Sequence, residues 1–411
     1  MNEEQRSQPG CSAGRMQLEF HHGLLAVLAV AAAAWSVAAG APDGSSPAPL
    51  VVERRVPDGG IQPQAAVDGH GTVHLIYFRG DPSHGDVFYV RSTDGGTTFS
   101  PAIQVNHQPG SAIATGSVRG AQIAVGRNGR VHVAWNGSGA ALPKAPSGVG
   151  PLLYARLNDS GAAFEPERNI IRQAYGIDGG STVTADGAGH VYVVWHAPAS
   201  GEKGEEHRRV WVARSSNEGK TFDDEAAASQ PSTGACGCCG LGAFADSRAT
   251  LYLLYRSASE IVNRDMHLLV SHDRGRHFTS ALVDRWQVGA CVMSTQAFAE
   301  GPSGVLTGWE TQGQVYFGQI DSTNGQVSHV TAGPGPDRTR KHPALAIDSG
   351  GRVLFAWTEG TAWNRGGSAA WQMFDSEGRA VADPGRADGV VPVWGLVSAY
   401  ARPGGGFAVV Y

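Results

Sequence analysis

One unit recurs seven times along this chain, and a repeat of that length confines the fold to architectures built by adding equivalent modules. Its first half is an apolar segment, a glycine-rich turn and a second apolar segment ending in an aromatic. The copies are AAVDGHGTVHLIYF (65–78), QIAVGRNGRVHVAW (122–135), TVTADGAGHVYVVW (182–195), GAFADSRATLYLLY (242–255), QAFAEGPSGVLTGW (296–309), ALAIDSGGRVLFAW (344–357) and SAYARPGGGFAVVY (398–411). Successive copies begin 48 to 60 residues apart. The second half, as in DVFYVRSTDGGTTFSPAIQV (86–105), supplies two more extended segments around a polar turn. Short runs rich in Val, Tyr, Phe and Trp between D-G, N-G and G-G turns are strand and hairpin signals. The 57 glycines among 411 residues, about twice the usual share of roughly 7%, fit a fold of many tight turns. No segment after the leader carries a convincing helical period.

Four-strand units of this length are propeller blades, set radially so that sheet edges stay short and protected. The expected class is therefore all-β, a β-propeller of seven blades, with six as the alternative. Six units contain both halves. The seventh has only its first two strands, and LVVERRV (50–56) is placed to add a strand to it from the N-terminus.

Residues 24–39, LLAVLAVAAAAWSVAA, form a 16-residue uncharged run ending in small residues. It is shorter than the ~20 residues of a membrane span and has the form of a signal-peptide core. The expected organisation is a leader over 1–41, with Met16 as an alternative start, a linker and closing strand over 42–60, and one propeller domain over 61–411. Secretion or delivery to the periplasm follows as the expectation, with no membrane association beyond the leader. The formal net charge of −5 provides no basic field for nucleic acid.

The turns between third and fourth strands resemble a known family. STDGGTTF (92–99) and SHDRGRHF (271–278) both fit S-x-D-x-G-x-x-[FW], and SSNEGKTF (215–222) and LNDSGAAF (157–164) are near matches. This is similar to the Asp box of sialidase-like, BNR-repeat propellers. The residue chemistry is structural in its own right: Asp or Asn accepts backbone N–H bonds within the turn, and Gly takes a positive φ. In the family these turns lie on the face opposite the substrate, so Asp94 and Asp273 are not site residues.

With those turns on the lower face, residues entering first strands and leaving second strands line the upper face. They include Arg79, Arg119, His196, Arg256, Glu310 and His342. The resemblance implies an arginine clamp for a substrate carboxylate, for which Arg79, Arg119 and Arg256 are the candidates, with Arg264 in addition. It further implies an acid/base, for which Asp81 stands closest, and a carboxylate such as Glu310 behind a nucleophile. The family's Arg-Ile-Pro signature is absent, and no tyrosine nucleophile can be assigned.

All four cysteines after the leader fall on two upper-face turns of adjacent blades, ACGCCG (235–240) and GACVMS (289–294). Two readings stay open. Exported proteins oxidise even sets of cysteines, so disulfides stapling Cys291 to the other turn are one. A soft-metal site of Cys236, Cys238, Cys239, Cys291 and Met293, with His196 adding an imidazole, is the other, and thioether beside thiolate leans toward copper. Three functions follow: an exported propeller holding a small-molecule or glycan ligand at its upper mouth beside a copper-like site, an exo-sialidase or related glycoside hydrolase, and a non-catalytic propeller that binds glycan or protein.

Overall fold

The computed structural model describes residues 50–144, 149–199, 203–260, 262–335 and 339–411. The expected leader, with Cys11 and the first residues of the linker, lies outside the described residues. Pro49–Tyr411 is one compact unit.

Extended runs of two to nine residues pair antiparallel, apart from one parallel closing strand, and assemble into six sheets of four strands and one of three. The innermost strands, in chain order, are Ile61–Val67, Gln122–Val125, Ser181–Ala185, Leu241–Ala245, Ala297–Gly301, Arg340–Ile347 and Ser398–Ala401. Each packs beside the innermost strand of the next blade, and Ile61–Val67 touches both Gln122–Val125 and Ser398–Ala401, so the ring closes with seven blades. The closing sheet joins the two ends of the domain. Val51–Arg54 runs parallel to Phe407–Val410, with Val51 opposite Phe407 and Arg54 opposite Val410. The flanking backbone continues the ladder through Phe407 N–H to Leu50 O at 2.7 Å and Tyr411 N–H to Arg54 O at 3.0 Å.

The aromatic ending each second strand packs between adjacent sheets. Trp135, Trp195, Trp309 and Trp357 are all less than 2% exposed, and burial of such a side chain contributes roughly 2–3 kcal/mol. The turns between first and second strands are held by an aspartate in four blades. Asp68, Asp186, Asp246 and Asp348 each accept two backbone N–H bonds through Oδ1, from residues two and four positions ahead.

The Asp boxes have the expected internal bonding. Ser92 Oγ accepts from Gly96 N–H at 2.8 Å and Asp94 Oδ1 from the N–H groups of Thr97 and Thr98, both at 2.9 Å. Ser271 and Asp273 repeat the pattern with Gly275, Arg276 and His277. These boxes and the Asp-held turns share the lower face. The turns that enter first strands and leave second strands share the upper one.

Candidate functional site

The cysteine turn that enters Leu241–Ala245 is fastened on three sides. Cys236 N–H donates to Arg256 O at 2.9 Å in its own blade, and Gly240 N–H to Ser294 O at 3.0 Å in the next. On the other side Cys239 O accepts from Gly180 N–H at 3.1 Å and from His196 Nε2 at 2.9 Å. This close approach requires Gly179, where a Cβ would stand 2.4 Å from Cys239 O. A cysteine-to-cysteine turn with Cys239 N–H pointing back at Cys236 O, 3.4 Å away, then folds the three sulfurs together.

The Sγ atoms of Cys236, Cys238 and Cys239 lie within 4.8 Å of one another. Cys236 Sγ is 3.4 Å from Cys238 Sγ and 3.3 Å from Cys239 Sγ. These separations are far beyond the ~2.05 Å of a disulfide. All four cysteines of the domain are free thiols, which corrects the disulfide expectation. Cys236 and Cys239 are 1% exposed and pack with Ala258 and Val292, with Trp286 and Val288 at the edge. Cys238 is half-buried and gives the cluster its access.

Within the triad the thiols are unequal. Cys239 is held well below the usual thiol range by hydrogen bonds from Cys236 and then Cys238, assisted by the Arg256 charge and the Ser294 backbone against the cost of its burial. Cys238 is pushed up by its bonds with Cys236 and Cys239 and by burial. Cys236 also lies high: its contact with Cys238 acts downward, and its contact with Cys239 and its burial outweigh that.

Several of the expected ligands stand elsewhere. The Cys291 side chain is exposed and outside the triad. Met293 lines a separate small cleft with Ser117, Lys341, His342, Trp363 and Trp394. Both ring nitrogens of His196 are occupied. Nε2 faces a carbonyl and must carry the proton, which leaves Nδ1 as the acceptor for Arg208 at 3.3 Å. Burial, then the Arg208 charge, lowers its pKa to about 4, so His196 positions the cysteine turn as a neutral ring and offers the sulfurs no lone pair.

Charged side chains surround the cluster. Arg256 is 2% exposed, donates to Arg264 O at 2.7 Å and to Glu310 O, and lies 5.1 Å over the Trp286 ring. Its Nη2 stands 3.6 Å from Glu310 Oε2, an atom that has no hydrogen-bond partner. Burial raises the Glu310 pKa to about 7, although Arg256 opposes the rise. Glu205 bridges the turn to Arg264, accepting from Gly237 N–H and from Arg264 Nη2, both at 2.6 Å. Arg208 donates to Gly176 O and His196 O. Glu205 and Arg208 belong to the charge-dense run GEKGEEHRR (201–209), whose composition alone suggests only a solvated loop. The available signal was topological, since that run joins second and third strands and so reaches the upper face. In a second charged run, DRTRK (337–341), Arg340 is buried against Glu359 at 3.1 Å.

The arginines of the expected clamp have separate partners. Arg79 pairs with Asp58 at 3.4 Å and covers Phe88. Arg119 pairs with Asp178 at 2.6 Å and covers Trp363, while Arg256 is committed to Glu310 and Trp286. Asp81 is exposed and caps its own hairpin, accepting from Ser83 N–H at 2.8 Å and Ser83 Oγ–H at 2.7 Å. An axial cavity of about 370 Å³ runs between the innermost strands, and no ionisable side chain lines it among the described residues. Val118 lines its upper end, and the segment around it crosses the ring. Ser117 Oγ bonds His342 Nε2 at 2.9 Å from the opposite side, and Gln62 Nε2 reaches Ala114 O at 2.8 Å and Trp394 O at 3.0 Å.

No family model and no curated protein matches the chain by sequence. Solved structures do match its fold. The NanB sialidase of Streptococcus pneumoniae is 10% identical, with 80% of this chain and 68% of that one covered and a TM-score of 0.51. The Penicillium chrysogenum alpha-L-arabinanase is 14% identical over 77% and 94% with a TM-score of 0.50, and a PL25 ulvan lyase is 11% identical over 83% and 87% with the same score. The fold is a sialidase-like propeller. At these identities the likeness concerns architecture alone, and the chemistry has to be argued from the side chains.

Proposed function

We propose that this protein is an exported propeller that binds a soft metal ion through Cys236, Cys238 and Cys239. The observation that carries the reading is the convergence of three sulfurs within 4.8 Å on one turn in a largely apolar pocket. Thiolates select Cu(I), zinc or iron–sulfur clusters, and a structural zinc site takes four ligands. Here His196 has no free lone pair and Cys291 is exposed, so three thiolates suit monovalent copper best. Arg256 favours loss of the thiol protons that metal binding requires, and half-buried Cys238 is the entry point. Export rests on the apolar run at 24–39. A saccharide or other small molecule is the accompanying ligand. What supports it is that the fold neighbours are a sialidase, an arabinanase and a lyase acting on polysaccharide.

The test is metal analysis of reduced full-length domain, with Cu(I) titrated against a chromophoric chelator. One equivalent is expected in the wild type and none in Cys236→Ser or Cys239→Ser, with Cys291→Ser unchanged. Equal copper retention by wild type and the Cys239→Ser variant would refute the site. Release of sugar from a fluorogenic sialoside tests the hydrolase alternative separately.

A further inference from the structure

On the lower face, far from the cysteine turn in the blade topology, lies a further, partly open pocket of about 70 Å³. It is lined by His190, Tyr192, Arg214, Arg274 and Arg276, with Ser215, Ser216 and Asp223 at its edge. It forms where the Asp box at 271–278 meets the second and third strands of the preceding blade. A Cβ on Gly275 would lie 3.5 Å from Arg214 Cδ and 3.6 Å from Tyr192 Cε1, so both side chains converge beneath that turn.

Two polar groups here are buried without a partner: Tyr192 Oη and Arg214 Nε. Tyr192 is itself 1% exposed. The next blade shows how such a tyrosine is normally satisfied. There Tyr252, at the same position of its strand, donates to Asp246 Oδ2 at 3.0 Å. The equivalent oxygen in the Tyr192 blade, Asp186 Oδ2, is taken by His190 Nδ1 at 2.7 Å. The Tyr192 hydroxyl is left as an unused donor, and a buried unsatisfied donor carries a free-energy cost that a ligand can remove.

Charge identifies the ligand class. Three arginines face one carboxylate, Asp223, and none of the three forms an ion pair among the described residues. Arg214 Nη1 makes only a long bond, 3.5 Å, to Gly275 O. A volume of about 70 Å³, against the ~10–15 Å³ that holds one water, matches a group with four oxygens. Guanidinium forks with a phenolic O–H suit a tetrahedral oxyanion.

We propose that this pocket binds sulfate or phosphate, either as the free ion or as an ester on a larger molecule. The full chain is titrated with inorganic sulfate and inorganic phosphate at constant ionic strength set by sodium chloride, and in a second arm with a sulfated disaccharide. Thermal stabilisation above the chloride control is expected, with affinity about tenfold weaker in Arg214→Met and Tyr192→Phe. Arg276→Ala, at an exposed position, keeps the test open if the buried variants fold poorly. Tighter binding of the disaccharide, lost in the same variants, assigns the ester as the source. Responses identical in wild type and Arg276→Ala, or a chloride response equal to that of sulfate, overturn the proposal.

Discussion

Glu310 should make the folded protein less stable as pH rises toward neutrality, and Glu310→Gln should abolish that effect. The carboxyl ends the second strand of its blade at 1% exposure, with Gly313 N–H on Oε1 at 2.8 Å and no hydrogen bond on Oε2. Its pKa rises from an ordinary 4.5 to about 7 because burial penalises the charge more than Arg256 favours it. Between those values the folded chain holds a proton that the unfolded chain has released, so stability falls as pH increases across the window. At ~1.4 kcal/mol per tenfold, the gap is worth about 3 kcal/mol. Glutamine retains the acceptor for Gly313 and mimics the protonated acid. Urea denaturation of reduced, metal-free protein, followed by tryptophan fluorescence at pH 4.5 and 7.5, gives the difference between variant and wild type at each pH. That difference should move in favour of Glu310→Gln by about 3 kcal/mol between the two. A difference constant within ~0.5 kcal/mol would show that the carboxylate is solvated or fully compensated by Arg256, and the burial argument would fail.

Other consequences follow from the same geometry. His132 and His342, each lowered to about 3 by burial, and His196, lowered to about 4, stay neutral in the fold while the unfolded chain takes up protons near 6.5. Their stabilisation is present above pH 6.5 and lost as pH falls toward 3 to 4; His132→Gln, at the site bonded to Tyr154 Oη, should flatten part of the acid limb of the stability curve. Deleting residues 50–54 removes the strand paired with Phe407–Val410 and the Arg54 Nε bond to Gly96 O, and should lower stability by at least ~2 kcal/mol with earlier proteolysis at the C-terminal blade. Asp94→Ala should speed amide exchange at Thr97 and Thr98, whose N–H groups it accepts, while leaving the global unfolding midpoint unchanged.

The blades were legible because their signals are local. A two-residue alternation, a glycine or aspartate at the turn and a tryptophan at the strand end lie within 14 residues of one another, so each copy announces its own hairpins and the count follows by addition. The site was legible only where neighbours in sequence are neighbours in space, as in the single turn carrying Cys236, Cys238 and Cys239. Everything else in it depends on how adjacent blades abut. Arg256 reads from sequence as a clamp because it follows the strand-end aromatic, but Glu310, 54 residues later, takes its guanidinium. The run containing Glu205 and Arg208 is dense in charge, which by itself suggests solvent, but Glu205 pairs with Arg264 and holds the cysteine turn across the blade boundary, and Arg208 bonds Gly176 O and His196. Cys291 fails for the converse reason. Its turn does reach the cluster, but it delivers Val292 to the apolar wall and leaves the cysteine outside. A propeller fixes which turns share a face, whereas the side chain each turn sends inward is decided by packing across the interface, where one position of offset exchanges a ligand for a wall residue.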